Sequence, residues 1–331
     1  MFDKKQLAFL ESVRKKINKA LCNCMYPQCT ENPIYSHVFQ KEGVLQEIST
    51  DRKVIAFEYR DLFALERGEC PVCYKESGIN ETFGFYGFCN LHDTKVFAPI
   101  EPKDKEVDWY DVKNQYLLGY RTLCRECFVH LQMSKYLTTL FDNGYFSEDM
   151  FIAKANSKRS IFILGKYKTV LEKGIFWKDY SRYSFKTTEL PFRLELCLAS
   201  PIVIREESKG PYFGPDENVI SDTVNIITIF PHKNRTVVMI GFLEGEKNIW
   251  ANTIYSMLRS DDIDDVSRAL QDIMFRSEFH CMSKLLYNEI ESEIPTFLQE
   301  WNLLREAHDY YLPYSSNIFR KYIRKQCGFA D

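Results

Sequence analysis

Eight of the chain's eleven cysteines fall between Cys22 and Cys127, and that crowding constrains the fold more than any other feature. The N-terminus has no apolar run of the kind a secretory signal needs, and no window approaches the roughly 18 apolar residues that span a bilayer. The expectation is a cytoplasmic protein with no membrane partner. In a reducing compartment, clustered cysteines point to metal ligation before disulfides. Cys197, Cys281 and Cys327 stand apart and are expected to be small buried residues.

The first group is CNCMYPQC, holding Cys22, Cys24 and Cys29, with Pro27 supplying a turn between two thiolates. Three cysteines for two places leave Cys22 and Cys24 as alternatives. The second group is GFCNLHD, where the spacing puts Cys89 and His92 on one face of the first turn of a helix. Cys24, Cys29, Cys89 and His92 then form a closed set of three thiolates and one imidazole, the donor set of a structural zinc ion. Two CxxC pairs remain, Cys70 with Cys73 and Cys124 with Cys127. They are read as a second zinc site shared by all four. The alternative for Cys124 and Cys127 is a pair of core-facing thiols, on a helix striped by Tyr116, Leu117, Tyr120, Leu123 and Cys127. A redox pair lacks the βαβ context it would need.

At 331 residues, 45% hydrophobic and 15% aromatic, the chain can bury two cores, and the fold class expected is α+β. Residues 1–150 are read as a zinc-stabilised domain with an N-terminal helix, and 151–331 as a binding, regulatory or assembly domain. The net charge of -3 neither supports nor excludes a nucleic-acid partner. From Lys4 to Leu21 an apolar stripe of Leu7, Leu10, Val13, Ile17 and Leu21 opposes Lys4, Lys5, Arg14, Lys15, Lys16 and Lys19. Val54 to Leu65 reads as a strand or a strand and turn. Asp149 to Lys173 interleaves lysines with Phe151, Phe162 and Tyr167, followed by Phe176 and Trp177. That pattern fits either a nucleic-acid surface or core aromatics beneath solvated lysines. Beyond Pro191, FRLELCLASPIVI, VNIITIF and RTVVMIGFL read as antiparallel strands, the last two joined at PHKN. Helices follow, with Asp261 or Asp262 capping the second. His232, Glu278 and His280 are read as structural, and no Gly-rich phosphate loop, GxSxG or HExxH is present.

IYSHVFQKEGVLQEIS, SGINETFGFYGFCNLHDTKVFAPIE and YLLGYRTLCRE, in that order, resemble a family of bacterial proteins related to the HNH endonucleases of the ββα-metal class. Several members of that family occur near phage-defence genes, and the likeness covers roughly the first 130 residues. It implies a treble-clef fold in which an Asp-His pair opening a strand gives a metal ligand and a general base. The matching positions here are Ser36 and His37. It further implies Asp93, after His92, as a ligand for catalytic Mg²⁺ or Mn²⁺, with Glu101 or a bound phosphate completing the oxygen set. The function implied is metal-dependent cleavage of DNA or RNA, in defence against phage, with a phage or protein trigger read by the second domain. The competing expectation is a zinc module without catalysis that binds nucleic acid or a protein partner.

Overall fold

The runs VNIITIF and RTVVMIG are almost continuously apolar, which is how a strand reads when both of its faces are covered. The computed structural model describes residues 4–17, 22–60, 64, 67–102, 106–209, 218–307 and 316–328. The strands are β1 (Ile34–His37), β2 (Lys53–Tyr59), β3 (Val72–Gly78), β4 (Gly84–Phe88), β5 (Tyr183–Leu190), β6 (Leu196–Lys209), β7 (Asn218–His232), β8 (Arg235–Leu243) and β9 (His280–Met282). The main helices are α1 (Lys4–Ile17), α2 (Asn90–Phe97), α3 (Val112–Asp142), α4 (Glu148–Trp177), α5 (Ile249–Leu258), α6 (Ile263–Arg276), α7 (Lys284–Ile290), α8 (Ile294–Ala307) and α9 (Arg320–Gln326).

Two antiparallel sheets make this an α+β fold. β1 pairs with β4, and the other seven strands run in the order β3-β2-β9-β6-β7-β8-β5. Alternate residues of the large sheet face opposite layers. Val224, Ile226, Val237 and Met239 pack in the layer that holds α3, part of α4 and the β1–β4 pair. Ile227, Ile229, Val238 and Ile240 face the layer of α5, α6, α8 and α9. β7 turns into β8 through a tight link in which Lys233 has φ 55 and His232 pairs with Arg235. This is the turn foreseen at PHKN.

The large sheet draws β2 and β3 from before residue 150 and its five other strands from after it, so it runs across the boundary read from the sequence. β3, β5 and β9 were not foreseen. α1 buries Leu7, Leu10, Val13 and Ile17 against Leu137 and Leu140 of α3, while Lys4, Lys5, Arg14 and Lys16 are exposed. Each such aliphatic stabilises by about 1.5–3 kcal/mol when fully covered. Lys19 and Leu21 lie outside the described residues. Asp262, not Asp261, caps α6, accepting from the Asp264 N–H at 2.8 Å. On α4, Tyr167 is core, but Phe151, Phe162, Phe176 and Trp177 are exposed. Cys197 and Cys281 are buried, whereas Cys327 is exposed, contrary to expectation. Among the described residues no helix is long and apolar enough to cross a membrane.

Gly174 lies where α4 crosses α3. A Cβ there would fall on the hydroxyl of Tyr116, which is 0% exposed, and 2.8 Å from the Asp179 carbonyl oxygen. Gly174→Ala gains about 1 kcal/mol of helix propensity. It should nevertheless lower the unfolding free energy by about 1–3 kcal/mol, because a buried ring and a backbone oxygen must both shift. Urea unfolding of the two proteins measures the difference.

Candidate functional site

The cysteine cluster is assembled from a tight loop and a helix start. In the loop, the Cys29 N–H donates to Tyr26 O at 3.2 Å, the Cys24 N–H to Glu31 O at 2.8 Å, and Gln28 takes φ 62. The Met25 N–H donates to Gly87 O at 2.7 Å and docks the loop on β4. From above, Lys168 Nζ and the Tyr120 hydroxyl both donate to Met25 O, at 3.0 and 3.3 Å. On the other side, Cys89 is the residue before α2, extended at φ -70, ψ 161, and its carbonyl accepts from the Asp93 N–H at 2.9 Å. That first turn brings His92 back over Cys89.

Ligand atoms of Cys24, Cys29, Cys89 and His92 all lie within 4.8 Å of one another. His92 Nδ1 is 3.2 Å from Cys89 Sγ and 3.5 Å from Cys24 Sγ, and the Cys29 and Cys89 sulfurs are 3.9 Å apart. A tetrahedral ion with metal–sulfur bonds of about 2.3 Å has sulfur–sulfur edges of about 3.8 Å, so the thiols already stand at ligand spacing. The Tyr26 ring stacks on His92 at 4.0 Å and fixes the plane of the imidazole. Burial lowers the His92 pKa, helped by Lys95, which favours the neutral imidazole that a metal requires. Burial pushes the Cys24 thiol up to about 12. Burial acts the same way on Cys89, but hydrogen bonding from the His92 backbone, Cys24 and Cys29 outweighs it and lowers that pKa. The three cysteines and the histidine can therefore hold a metal ion.

Of the two alternatives, Cys24 belongs to this group. Cys22 Sγ instead lies 3.8 Å from Tyr86 O. The other four cysteines do not assemble into a second site. Cys70 packs in the α5–α9 layer with its sulfur 4.0 Å from Leu298 O, and Cys73 is on β3. Cys124 and Cys127 are buried in the opposite layer, where burial holds both thiols above their usual range, Cys127 at about 12. Cys70 lies on the opposite side of the large sheet from Cys124 and Cys127, and the second pair is core. Among the described residues the Cys24, Cys29, Cys89 and His92 group is the only cluster of three or more such ligands.

His37 ends β1 opposite Gly84 and is 7% exposed. Its Nε2 lies 2.9 Å from Asn80 O. A carbonyl only accepts, so Nε2 carries the proton and Nδ1 keeps its lone pair. Burial lowers the His37 pKa against the Asn80 carbonyl, which raises it; Lys41 and Arg121 lower it further, and Asp93 raises it. Ser36 Oγ, next to it, is buried without a partner. Asp93 and Glu101 meet at Arg121, a residue 1% exposed, whose Nη2 is 2.7 Å from Asp93 Oδ1 and whose Nη1 is 2.5 Å from Glu101 Oε1. The same guanidinium lies 4.3 Å from the centre of the Phe97 ring.

Sequence reasoning gave no part to Arg121, Asn80 or Arg125. The signal for the two arginines was a pair of cations one turn apart inside an otherwise apolar helix. No family model matches the chain, and no curated protein or solved structure gives a significant match.

One equivalent of bound metal per chain is expected from elemental analysis of the purified protein. Cys89→Ala should lose it and loosen the loop and α2 together, since binding energy at such a site is folding energy. Cys73→Ala and Cys124→Ala should retain it.

Proposed function

We propose that the chain is a nuclease of the ββα-metal type, in which a zinc ion on Cys24, Cys29, Cys89 and His92 clamps the loop, β1, β4 and α2 into a treble clef, and His37 activates water against a phosphodiester. The observation that carries this reading is the tautomer of His37: Nε2–H is committed to Asn80 O, leaving Nδ1 as an imidazole base with a lowered pKa on the strand beside α2. His37 Nδ1 takes a proton from water, the resulting hydroxide adds to phosphorus, and the ester P–O bond breaks as the departing oxygen is protonated by solvent.

Asp93 and Glu101 each give one oxygen to Arg121, which leaves each a second oxygen and leaves the trio one net negative charge. That suits a Mg²⁺ or Mn²⁺ ion held through one or two carboxylates and water, and such an ion supplies charge stabilisation at the scissile phosphate. The likeness to HNH-related proteins adds defence against phage as the setting, with the second half of the chain as the part that meets a trigger. The same arginine also favours a second reading. A buried guanidinium across both carboxylates is what a zinc module that binds nucleic acid or protein without cleaving would retain, and the exposed Phe162, Phe176 and Trp177 on α4 give it a surface.

Zinc analysis and cleavage of mixed DNA and RNA with Mg²⁺ or Mn²⁺ decide between the readings. Cleavage should rise with pH and level off below the ordinary histidine value of about 6.5, because the neutral imidazole is the active form. His37→Ala should lower the rate by about 10²–10⁴ with zinc content unchanged. Zinc-loaded protein that cleaves neither substrate, or a His37→Ala protein as active as its parent, sinks the catalytic reading.

A further inference from the structure

Arg125 stands one turn after Arg121 on the same side of α3, in the field of the Glu126 and Glu278 carboxylates. Its Nε and Nη1 are buried without a hydrogen-bond partner. A guanidinium carries five donors, and buried polar groups are nearly always paired, so an orphan of this kind calls for a ligand. The nearby acids do not supply one. Glu126 turns one oxygen to His130 Nε2 at 3.3 Å, and both it and Glu278 act on Arg125 through their fields, with no hydrogen bond to Arg125 Nε or Nη1 among the described residues. The side chain is nonetheless held in place, with its guanidinium 3.6 Å from the centre of the Phe279 ring and 5.6 Å from that of Phe83. Burial lowers its pKa to about 10, so it stays charged at neutral pH.

Its surroundings lead back to β1. Arg125 acts on the Tyr35 hydroxyl, and the Tyr35 ring is 5.2 Å from that of His37. Four other orphaned atoms belong to the same two elements, β1 and α3: Ser36 Oγ, Arg121 Nε, Glu126 Oε2 and Tyr136 Oη, the first two on the side of the β1–β4 pair. We propose that Arg125 is the fixed cation of an anion subsite in the seam between α3 and the β1–β4 pair, and that it takes a phosphate of a nucleic-acid strand. A planar fork with its Nε and Nη1 donors unpaired matches phosphate geometry as an ammonium does not. The subsite rests on the nucleic-acid reading for its ligand but not on cleavage, because it needs neither His37 nor a divalent ion.

The test uses the full chain in buffer without divalent cations, so that nothing is cleaved. The first probe is a short labelled single-stranded oligonucleotide, titrated by fluorescence anisotropy at several salt concentrations. The second is inorganic phosphate, read as a shift of the thermal midpoint at constant ionic strength. Arg125→Gln should bind the oligonucleotide about tenfold or more weakly, with a salt slope smaller by about 0.7, and should lose the phosphate shift. Unchanged affinity and slope overturn the proposal. A phosphate shift lost in Arg125→Gln while oligonucleotide binding is untouched replaces the strand by a free phosphate compound and overturns the assignment to nucleic acid. If Arg125→Gln loses its metal or its cooperative unfolding, Arg125→Lys decides. Weaker binding with the slope kept supports the forked contact, and parental affinity overturns it. Oligonucleotide binding by a protein that never cleaves leaves the subsite standing and removes only the catalytic reading, whereas failure of the parent protein to bind the oligonucleotide overturns the subsite.

Discussion

From Asn114 to Phe128 nearly every residue of α3 is buried, because the helix runs between one face of the large sheet and the β1–β4 pair with α2. A helix covered all round can carry a polar side chain only where a partner is built for it. Three such residues, Asn114, Gln115 and Arg121, each fix a neighbouring element, while Arg125 keeps two unpaired nitrogens. Asn114 Nδ2 donates to Asp108 O at 3.0 Å, and Gln115 Nε2 donates to Trp109 O at 2.7 Å and to Thr187 Oγ1 at 2.8 Å, tying the approach to the helix onto β5. Arg121 reaches the other way, to Asp93 on α2 and to Glu101 just past it. The candidate site is thus positioned by the demands of one buried helix.

The Arg121 pairs show how that demand meets chemistry. A guanidinium at 1% exposure is costly unless its neighbours are anionic, and Asp93 and Glu101 answer it while keeping their own sides partly open, at 17% and 28%. If either carboxylate were lost, a buried cation would be left under-compensated. The two acids are therefore bound to the fold through one oxygen each, with the other side of each partly open. His37 responds to the same charges, since Arg121 and Asp93 move its pKa in opposite directions.

The sequence made local chemistry legible and hid what is decided at long range. Each half of the Cys24, Cys29, Cys89 and His92 group could be read because a loop and a first helical turn are short, although spacing left Cys22 and Cys24 as alternatives and did not itself bring the halves together. β6, β7 and β8 could be read because both faces are apolar. β9 is three residues long, HCM, and exists because β2 and β6 flank it, a fact about residues more than 80 positions away. The two CxxC pairs looked like one site because each has the spacing of a zinc knuckle, although they stand further apart along the chain than such knuckles commonly do. Nothing in a spacing states which layer each cysteine will enter. Arg121 was hidden for a related reason: the cation pair it forms with Arg125 marks the helix but does not name its partners, which are 28 and 20 residues distant.

The cysteine cluster is also less independent than a zinc module read from sequence would be. Its loop hangs from β4 through the Met25 N–H, and the Met25 carbonyl accepts from Tyr120 on α3 and Lys168 on α4. Lys168 is tied in turn to Glu172. Between β1 and β4 the chain leaves to form β2 and β3 in the large sheet, so both ends of the strand pair are anchored there covalently. Register in β1–β4, which sets His37 opposite Gly84, is therefore fixed from two directions, by the cysteine loop on one side and by the large sheet on the other. A site built this way gains a rigid histidine, and the same bracing makes changes in the large sheet or in α4 able to reach it.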